Sequence, residues 1–291
     1  MARDIDTLER VTVQIPDMFV SFLAEPPRFN PNYKQVKAKS DAWISECVFP
    51  LVHPAEVPGF SQTVFDNGEL RDKPTAAAVV MQSLMSPMID CCWQEANISG
   101  GERLPIVKVH DTVWRRLQRD SSKGIQRRFS KAMADYCAGA LMHVEDLSAH
   151  KIPPTPDEML KMRQLSAGVS PLFSLVEYAH ALRIPDHVFD HPVIQEIEQL
   201  GIDFVLITND ILSYMKEEGE SVPHNLVAVA RMSGLQAQEA FDYIGNMLNS
   251  RYERWEKALG EMPYWGEEIN KHAERYVRGV ADVVRANLYW R

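Results

Sequence analysis

Apolar residues recur at three- and four-residue steps along most of the chain after Lys73. A period of about 3.6 residues is that of an α-helix with one buried face. The pattern predicts helices over Ala76–Glu95, Val107–Asp120, Lys123–Leu147, Pro156–Leu182, Val193–Glu218, Leu226–Met232, Gln236–Leu259 and Gly266–Trp290. Alternating patterns typical of β-strands are nearly absent. The sequence therefore predicts an all-α protein.

Residues 1–60 have a different composition, rich in proline and aromatic residues. They predict an irregular N-terminal lead with a helix near Val36–Cys47. The later connections are short, and the proline-bounded segment Pro185–Pro192 is interpreted as a loop. Internal repeats and low-complexity linkers are absent from the sequence. We therefore expect residues 1–291 to form a single domain, with its helices packed around a centre.

The charge balance limits the partners of this protein. Its 31 basic and 40 acidic residues give a net charge of −9, which argues against nucleic acid or an anionic membrane surface as the main partner. The pairs Arg115-Arg116 and Arg127-Arg128 are accordingly interpreted as solvated helix faces. A phosphate ester substrate would need a local cation or a cluster of basic side chains to reverse the overall field.

The four cysteines have neither disulfide nor metal-ligand spacing. The N-terminus shows no export signal, and no apolar stretch has the length of a membrane span. We therefore expect a cytoplasmic protein without a membrane span, as a monomer or a homodimer.

The predicted helix over Val193–Glu218 contains an unusual line of oxygen-bearing side chains. Asn209, Ser213 and Glu217 are spaced at i, i+4 and i+8, which places them on one face of the helix. The flanking residues are mostly apolar, so full exposure of this face is not expected. An unpaired buried carboxylate would cost several kcal/mol. Amide, hydroxyl and carboxylate oxygens are hard ligands suited to Mg²⁺, and Lys216 is placed to reach a phosphate on the same metal.

This line of side chains belongs to a stretch that resembles a motif of a known protein family. The stretch from Asn209 through Asp210, Ser213 and Lys216 to Glu217 is similar to the NDxxSxxKE metal-binding motif of class I terpene synthases, in the form found in fungal sesquiterpene synthases. The motif fixes several residue types over nine positions. The stretch His224-Asn225-Leu226 and the segment near Asn287 also resemble that family. The similarity extends over roughly residues 60–291.

The resemblance implies a fold and a reaction. The fold is a single-domain, all-α terpenoid synthase bundle around a central active-site cavity. The reaction is ionisation of farnesyl diphosphate to a sesquiterpene, in which the diphosphate leaves and a carbocation remains. Roughly three Mg²⁺ ions, for which Mn²⁺ can substitute, stabilise the leaving group. Asn209, Ser213 and Glu217 would bind one of these ions, and Lys216 would bind the diphosphate.

The family also has an aspartate-rich metal motif nearer the N-terminus. Here Asp66 matches its first aspartate, whereas Asn67 and Leu70 stand where other acids are expected. The resemblance assigns Asp66 as the residue that binds the other ions and leaves open whether Glu69 or Asp72 replaces the missing acids. Phe65 and Trp290 are the candidate aromatic residues of the cavity, where ring faces stabilise a cation.

A diphosphate-sensing arginine is expected upstream of the metal motif. Arg163 lies 46 positions before Asn209 and matches this sensor, with Arg183 as the reserve candidate. A C-terminal Arg-Tyr pair of the family has no counterpart before Arg291, and Arg275-Tyr276 matches a helix position instead. The sequence leaves open whether this Arg-Tyr pair is absent or truncated.

Two alternatives to a sesquiterpene product remain. One is an acyclic terpene alcohol of the linalool or nerolidol type, made from geranyl or farnesyl diphosphate, since weaker closure of the site would admit water. The other is a non-catalytic relative that binds prenyl diphosphates.

Overall fold

Helices make up nearly all regular structure in the computed structural model, which describes residues 11–26, 31–43, 105–220 and 222–290. Over these ranges there is no β-strand. The α-helices are α1 (Tyr33–Trp43), α2 (Pro105–Asp120), α3 (Lys123–Ser148), α4 (Pro156–Ser166), α5 (Ser170–Ala179), α6 (Asp186–Phe189), α7 (Pro192–Gly219), α8 (Leu226–Met232), α9 (Ala237–Gly260) and α10 (Glu267–Trp290). The prediction of an all-α protein is confirmed.

The chain divides into two compact units. The first consists of Met1–Pro27 with Arg127–Arg291 and contains α4 to α10, and the second consists of Arg28–Gln126 and contains α1 and α2. The expectation of one domain over residues 1–291 stays a prediction. Within the predicted N-terminal lead, residues 11–20 have no regular structure and Ser21–Ala24 form one turn of 3-10 helix, while the lead over residues 1–60 stays a prediction.

Helix α7 is the central element of the first unit. It packs mainly against α9 and α10 and also contacts α4, α5 and α8. From Leu200 to Asp210 every residue except Val205 and Asn209 is buried, as the apolar sequence of this stretch predicts. Phe204 lies among aromatic rings, with ring centroids 4.9 Å from Tyr252 and 5.3 Å from Phe22. The site therefore begins on the buried middle of α7 and extends toward its more exposed C-terminal turns.

The prediction of one continuous helix over Pro156–Leu182 is wrong. The helix ends at Ser166, and α5 begins at Ser170. Gly168 lies between them with φ of 68°, a left-handed conformation that glycine adopts without strain. Pro171 opens α5, at the helix start where its missing N–H costs nothing. The break separates the helix that carries Arg163 from α5.

Helices α3 and α4 approach closely at Gly139. A Cβ added at this position would lie 2.5 Å from the Cβ of Leu165, a separation that real Cβ atoms essentially never show. Glycine therefore allows α3 to lie directly against the last turn of α4. This contact fixes the end of the helix that carries Arg163.

Two local predictions are corrected. The segment Pro185–Pro192 is not a loop throughout, because Asp186–Phe189 form the short helix α6. Arg128 is not a solvated residue, since its side chain is 18% exposed and its guanidinium bonds both Glu177 and Asp186. Its Cζ also lies 3.9 Å from the centroid of the Phe189 ring, where burial strengthens a cation–π contact.

Among the described helices, none combines the length and the apolar character needed to cross a membrane.

Candidate functional site

A buried ion pair joins α4 to α7. Arg163 Nη1 donates to Asp210 Oδ1, and the two side chains are 15% and 0% exposed. Arg163 Nη1 also lies 3.4 Å from the backbone oxygen of His224. The Arg163 side chain is therefore directed into the protein toward α7. It is not a solvated arginine on the surface of α4.

Asp210 is satisfied on both carboxylate oxygens. Its Oδ2 accepts a 2.7 Å hydrogen bond from the backbone N–H of Leu226, while Oδ1 accepts from Arg163. Burial raises the pKa of Asp210, and the Arg163 guanidinium and the Leu226 N–H oppose that rise. Because both oxygens accept from donors, the pair is best described as carboxylate and guanidinium.

A second polar attachment lies two turns earlier on α7. Gln164 Nε2 donates to Asp203 Oδ1 at 2.6 Å, and Arg251 Nε of α9 donates to Asp203 Oδ2 at 3.1 Å. Asp203 and Asp210 are seven residues apart and so lie on one side of α7. Neighbouring residues of α4, Arg163 and Gln164, thus bind two acids of the same helix. These two attachments fix the position of α4 along α7.

The three predicted metal ligands lie on α7, near its C-terminal end. Helix geometry places Asn209, Ser213 and Glu217 within a sector of about 80°. Ser213 Oγ donates to the Asn209 backbone oxygen at 2.8 Å. In the described ranges, no group of three or more His, Cys, Asp or Glu side chains is placed to hold a metal. This set contains one carboxylate, so a metal here would depend on amide and hydroxyl oxygens and on other ligands as well.

Glu217 is half-buried and is held by Asn225. Its Oε2 accepts a 2.9 Å hydrogen bond from Asn225 Nδ2. Within the described part of the chain, no Lys or Arg forms an ion pair with Glu217, although the Asp210 carboxylate lies close enough to interact electrostatically. A half-buried carboxylate beside another one, with only a neutral donor, favours the binding of a cation.

Lys216 is not drawn into this cluster. Its side chain is 67% exposed, and Nζ lies 3.9 Å from Glu220 Oε1. Its assignment to the diphosphate stays a prediction. Arg183, the reserve sensor, is also exposed. Arg163 therefore forms a hydrogen bond to α7, whereas Lys216, which is itself part of α7, and Arg183 are exposed.

Several residues that the sequence predicts for the site lie in the N-terminal half of the chain or at its C-terminal end. Phe65, Asp66, Glu69 and Asp72 lie outside the described residues. Trp290 ends α10, but its side chain is also outside the described set. The second metal-binding position and the two cavity aromatics stay predictions.

A cavity of about 280 Å³ lies between α3, the α4–α5 connection and α7. Its α7 residues, Gln195, Glu198, Gln199 and Ile202, share a helix face with the predicted metal ligands, and Ile202 is about 10 Å along the axis from Asn209. Most of its lining residues are polar. A carbocation in contact with such groups would be captured by them or by their water. This cavity therefore does not supply the apolar enclosure that the resemblance implies.

Two histidines form a hydrogen-bonded chain behind the site. His224 Nε2 lies 3.1 Å from the Lys151 backbone oxygen, and His143 Nε2 lies 2.5 Å from His224 Nδ1. The Lys151 carbonyl only accepts, so His224 Nε2 donates to it, and His143 Nδ1 lies 3.1 Å from Ser166 Oγ.

Comparison with known proteins decides the family. A family model described as terpene synthase family 2, C-terminal metal binding, matches residues 64–254, well over half of the chain. The chain is a terpene synthase. The match includes α7 and its motif, so this terpene synthase carries a site for a divalent metal.

Two relatives and one solved structure show the extent of the likeness. This terpene synthase is 30% identical to cycloaraneosene synthase sdnA of Sordaria araneosa, over 96% of this chain and 84% of that protein. It is 29% identical to sesquiterpene synthase Agr1 of Cyclocybe aegerita, over 77% of this chain and 62% of that one. A linalool/nerolidol synthase structure from Streptomyces clavuligerus aligns with a TM-score of 0.71 and 18% identity, over 92% and 98% of the two chains. That structural likeness concerns the fold.

Sequence reasoning assigned no role to two residues of this site. Asp210 was present in the motif, and its signal was an acid within an apolar helix. Asn225 was noted only as part of a similar stretch, and it is 0% exposed. A buried polar residue needs partners, but the spacing of residues along one chain segment does not identify partners on another.

The histidine chain predicts a pH dependence of stability. Burial, with the neighbouring His224 and Arg163, lowers the pKa of His143 from 6.5 to about 4. Between these values the unfolded state binds more protons than the folded state. The contribution of His143 to the free energy of unfolding is therefore fully present above pH 6.5, and it is lost as the pH falls toward 4. We expect the free energy of unfolding of the wild type to lose its advantage over His143→Gln across this window, as measured by urea unfolding.

The control is the exposed residue His187. The variant His187→Gln measures what the loss of an exposed histidine does to the free energy of unfolding over the same pH range. A pH-independent difference for His143→Gln would contradict the lowered pKa of His143.

Proposed function

We propose that this terpene synthase is a Mg²⁺-dependent enzyme that ionises farnesyl diphosphate and forms a sesquiterpene. The observation that carries the proposal is the contact between Arg163 and the metal-motif helix through Asp210. A residue suited to bind diphosphate and a line of metal ligands are thereby held on one rigid framework. The similarity to a sesquiterpene synthase supports the fifteen-carbon substrate class.

The donor set on α7 fits Mg²⁺. Asn209, Ser213 and Glu217 offer an amide oxygen, a hydroxyl and a carboxylate, all hard ligands. When bound, the metal would neutralise the charge that develops on the leaving diphosphate. Asp66 is proposed as a ligand of further ions, in accordance with the family motif. Roughly three ions in total, and replacement by Mn²⁺, belong to the same proposal.

Arg163 is proposed to bind the diphosphate oxygens. Its Nη1 is occupied by Asp210 and His224, and a guanidinium has five N–H donors in a planar fork. Further donors are therefore available for an anion while the ion pair persists. The C–O bond of the substrate breaks with its electron pair leaving on the diphosphate, and an allylic cation remains. Preorganised donors favour this step because they are already oriented before charge develops.

The direct test is turnover with purified protein. Incubation with farnesyl or geranyl diphosphate and Mg²⁺, followed by gas chromatography and mass spectrometry, should give a hydrocarbon from farnesyl diphosphate that disappears on addition of EDTA. An acyclic alcohol as the main product would support the linalool or nerolidol alternative. Absence of any Mg²⁺-dependent product, together with Mg²⁺-independent binding of the diphosphate in calorimetry, would support the non-catalytic alternative.

The assignment of Glu217 is tested against its neighbour. Glu217→Gln retains the shape of the side chain but removes the charge, so we expect turnover to fall about 100- to 1000-fold, the range for loss of one electrostatic group. Glu218 is the matched control, because it is exposed and accepts a hydrogen bond from Tyr214 that a glutamine can also accept. Equal loss in Glu217→Gln and Glu218→Gln would contradict a metal role for Glu217.

The assignment of Arg163 is tested against the reserve candidate. Arg163→Lys retains the charge but loses the planar fork, so we expect the affinity for inorganic diphosphate to fall about tenfold or more. Arg183→Lys, at an exposed position, should leave that affinity unchanged. The measurement is calorimetry with Mg²⁺ present. The reverse pattern would assign the sensor to Arg183.

A further inference from the structure

The short segment His224–Leu226 connects the two functional helices. Its three residues bond either Arg163 on α4 or Asp210 and Glu217 on α7. We propose that Asn225 is a positioning residue, which orients the Glu217 carboxylate for the metal and couples the metal site to Arg163. This inference rests on the proposed function and adds to it a residue that contacts neither metal nor substrate.

Both ends of the Asn225 amide have defined partners. Oδ1 accepts from the backbone N–H groups of Val227 and Ala228, at 2.8 and 3.3 Å, and so caps the N-terminus of α8. Nδ2 donates to the Asp210 backbone oxygen and to Glu217 Oε2, both at 2.9 Å. Because N–H groups only donate and these oxygens only accept, a flipped amide would lose all four bonds. The orientation of Asn225 is therefore fixed.

A fixed donor has a specific effect on Glu217. A glutamate side chain on a helix surface samples several rotamers, and each must be restricted before a metal binds. The Asn225 bond holds one carboxylate oxygen in place while the group keeps its charge. Asn225 is itself 0% exposed and is therefore held by the surrounding protein. Hydrogen-bonded partners of metal ligands typically change metal affinity about 10- to 100-fold when they are replaced.

The same segment is bonded to the diphosphate-binding side. The His224 backbone oxygen accepts from Arg163, and the Leu226 N–H donates to the carboxylate that pairs with Arg163. Asn225 lies between these two residues in the chain. A displacement of Asn225 would therefore change the support of Arg163 as well as that of Glu217. Binding of metal and binding of diphosphate should be thermodynamically linked through this segment.

The test separates positioning from helix capping. Asn225→Ser retains an N-cap oxygen but has no amide to reach Glu217, whereas Asn225→Ala loses both. We expect Asn225→Ser to raise the Mg²⁺ concentration for half-maximal binding of inorganic diphosphate by about 10- to 100-fold in calorimetry. If Asn225 is only a cap, Asn225→Ser will show the wild-type Mg²⁺ dependence, which would overturn the inference.

A double-mutant cycle identifies Glu217 as the residue through which Asn225 acts. In a Glu217→Gln background, Asn225→Ser should cause little further change in the Mg²⁺ dependence, although its effect on the melting temperature should remain. Additive effects on the Mg²⁺ dependence would overturn the inference. The structural control is Tyr252→Phe, which removes the 2.8 Å bond to the Met18 backbone oxygen away from this segment and should leave the Mg²⁺ dependence unchanged.

The experiment also distinguishes a folding failure of Asn225→Ser from a failure of the proposed function. If Asn225→Ser does not fold, Asn225→Thr serves instead, because its hydroxyl is also an N-cap oxygen and it lacks the amide donors without adding a charge. It should shift the Mg²⁺ dependence in the same direction, and a wild-type dependence would overturn the inference. If the wild type itself binds inorganic diphosphate independently of Mg²⁺, the proposed function fails first, and the inference fails with it.

Discussion

The buried ion pair between Arg163 and Asp210 is the constraint on which the site depends. A carboxylate with no exposed surface is costly to bury unless it is paired and hydrogen-bonded, and loss of one partner of such a pair typically destabilises a protein by about 3–5 kcal/mol. The pair is therefore maintained in the folded protein. Since its members lie on α4 and α7, the pair fixes the relative position of these helices where both carry side chains of the proposed site.

Contacts near the ion pair further restrict how α4 is placed along α7. Gln164, next to Arg163, binds Asp203 on the same side of α7, and Gly139 allows α3 to lie against the end of α4. Apolar packing alone tolerates small shifts of one helix along another. Directional bonds at two points, with a close backbone approach at a third, exclude such shifts. A catalytic arrangement needs this precision, because misplacement by about 1 Å can cost a factor of 100 in rate.

The electrostatics of the site agree with the overall charge of the chain. A net charge of −9 disfavours a diphosphate, and Asp210 and Glu217 add two acids near the proposed binding site. Arg163 balances Asp210, whereas Glu217 has only the neutral amide of Asn225 among its described polar partners. The remaining negative charge favours a divalent cation, which in turn reverses the local field for a diphosphate. The acidic balance is thus consistent with dependence on metal.

The sequence by itself determined most of the described helices, the central position of α7 and the line formed by Asn209, Ser213 and Glu217, because these depend on spacing within one helix. The break between α4 and α5 was also encoded locally, by Gly168 and Pro171. The tertiary structure alone decided that Arg163 pairs with Asp210 and that Asn225 holds Glu217. The partners of the ion pair are 47 residues apart, and their contact depends on how one helix packs against another. A one-dimensional pattern contains no information about that packing.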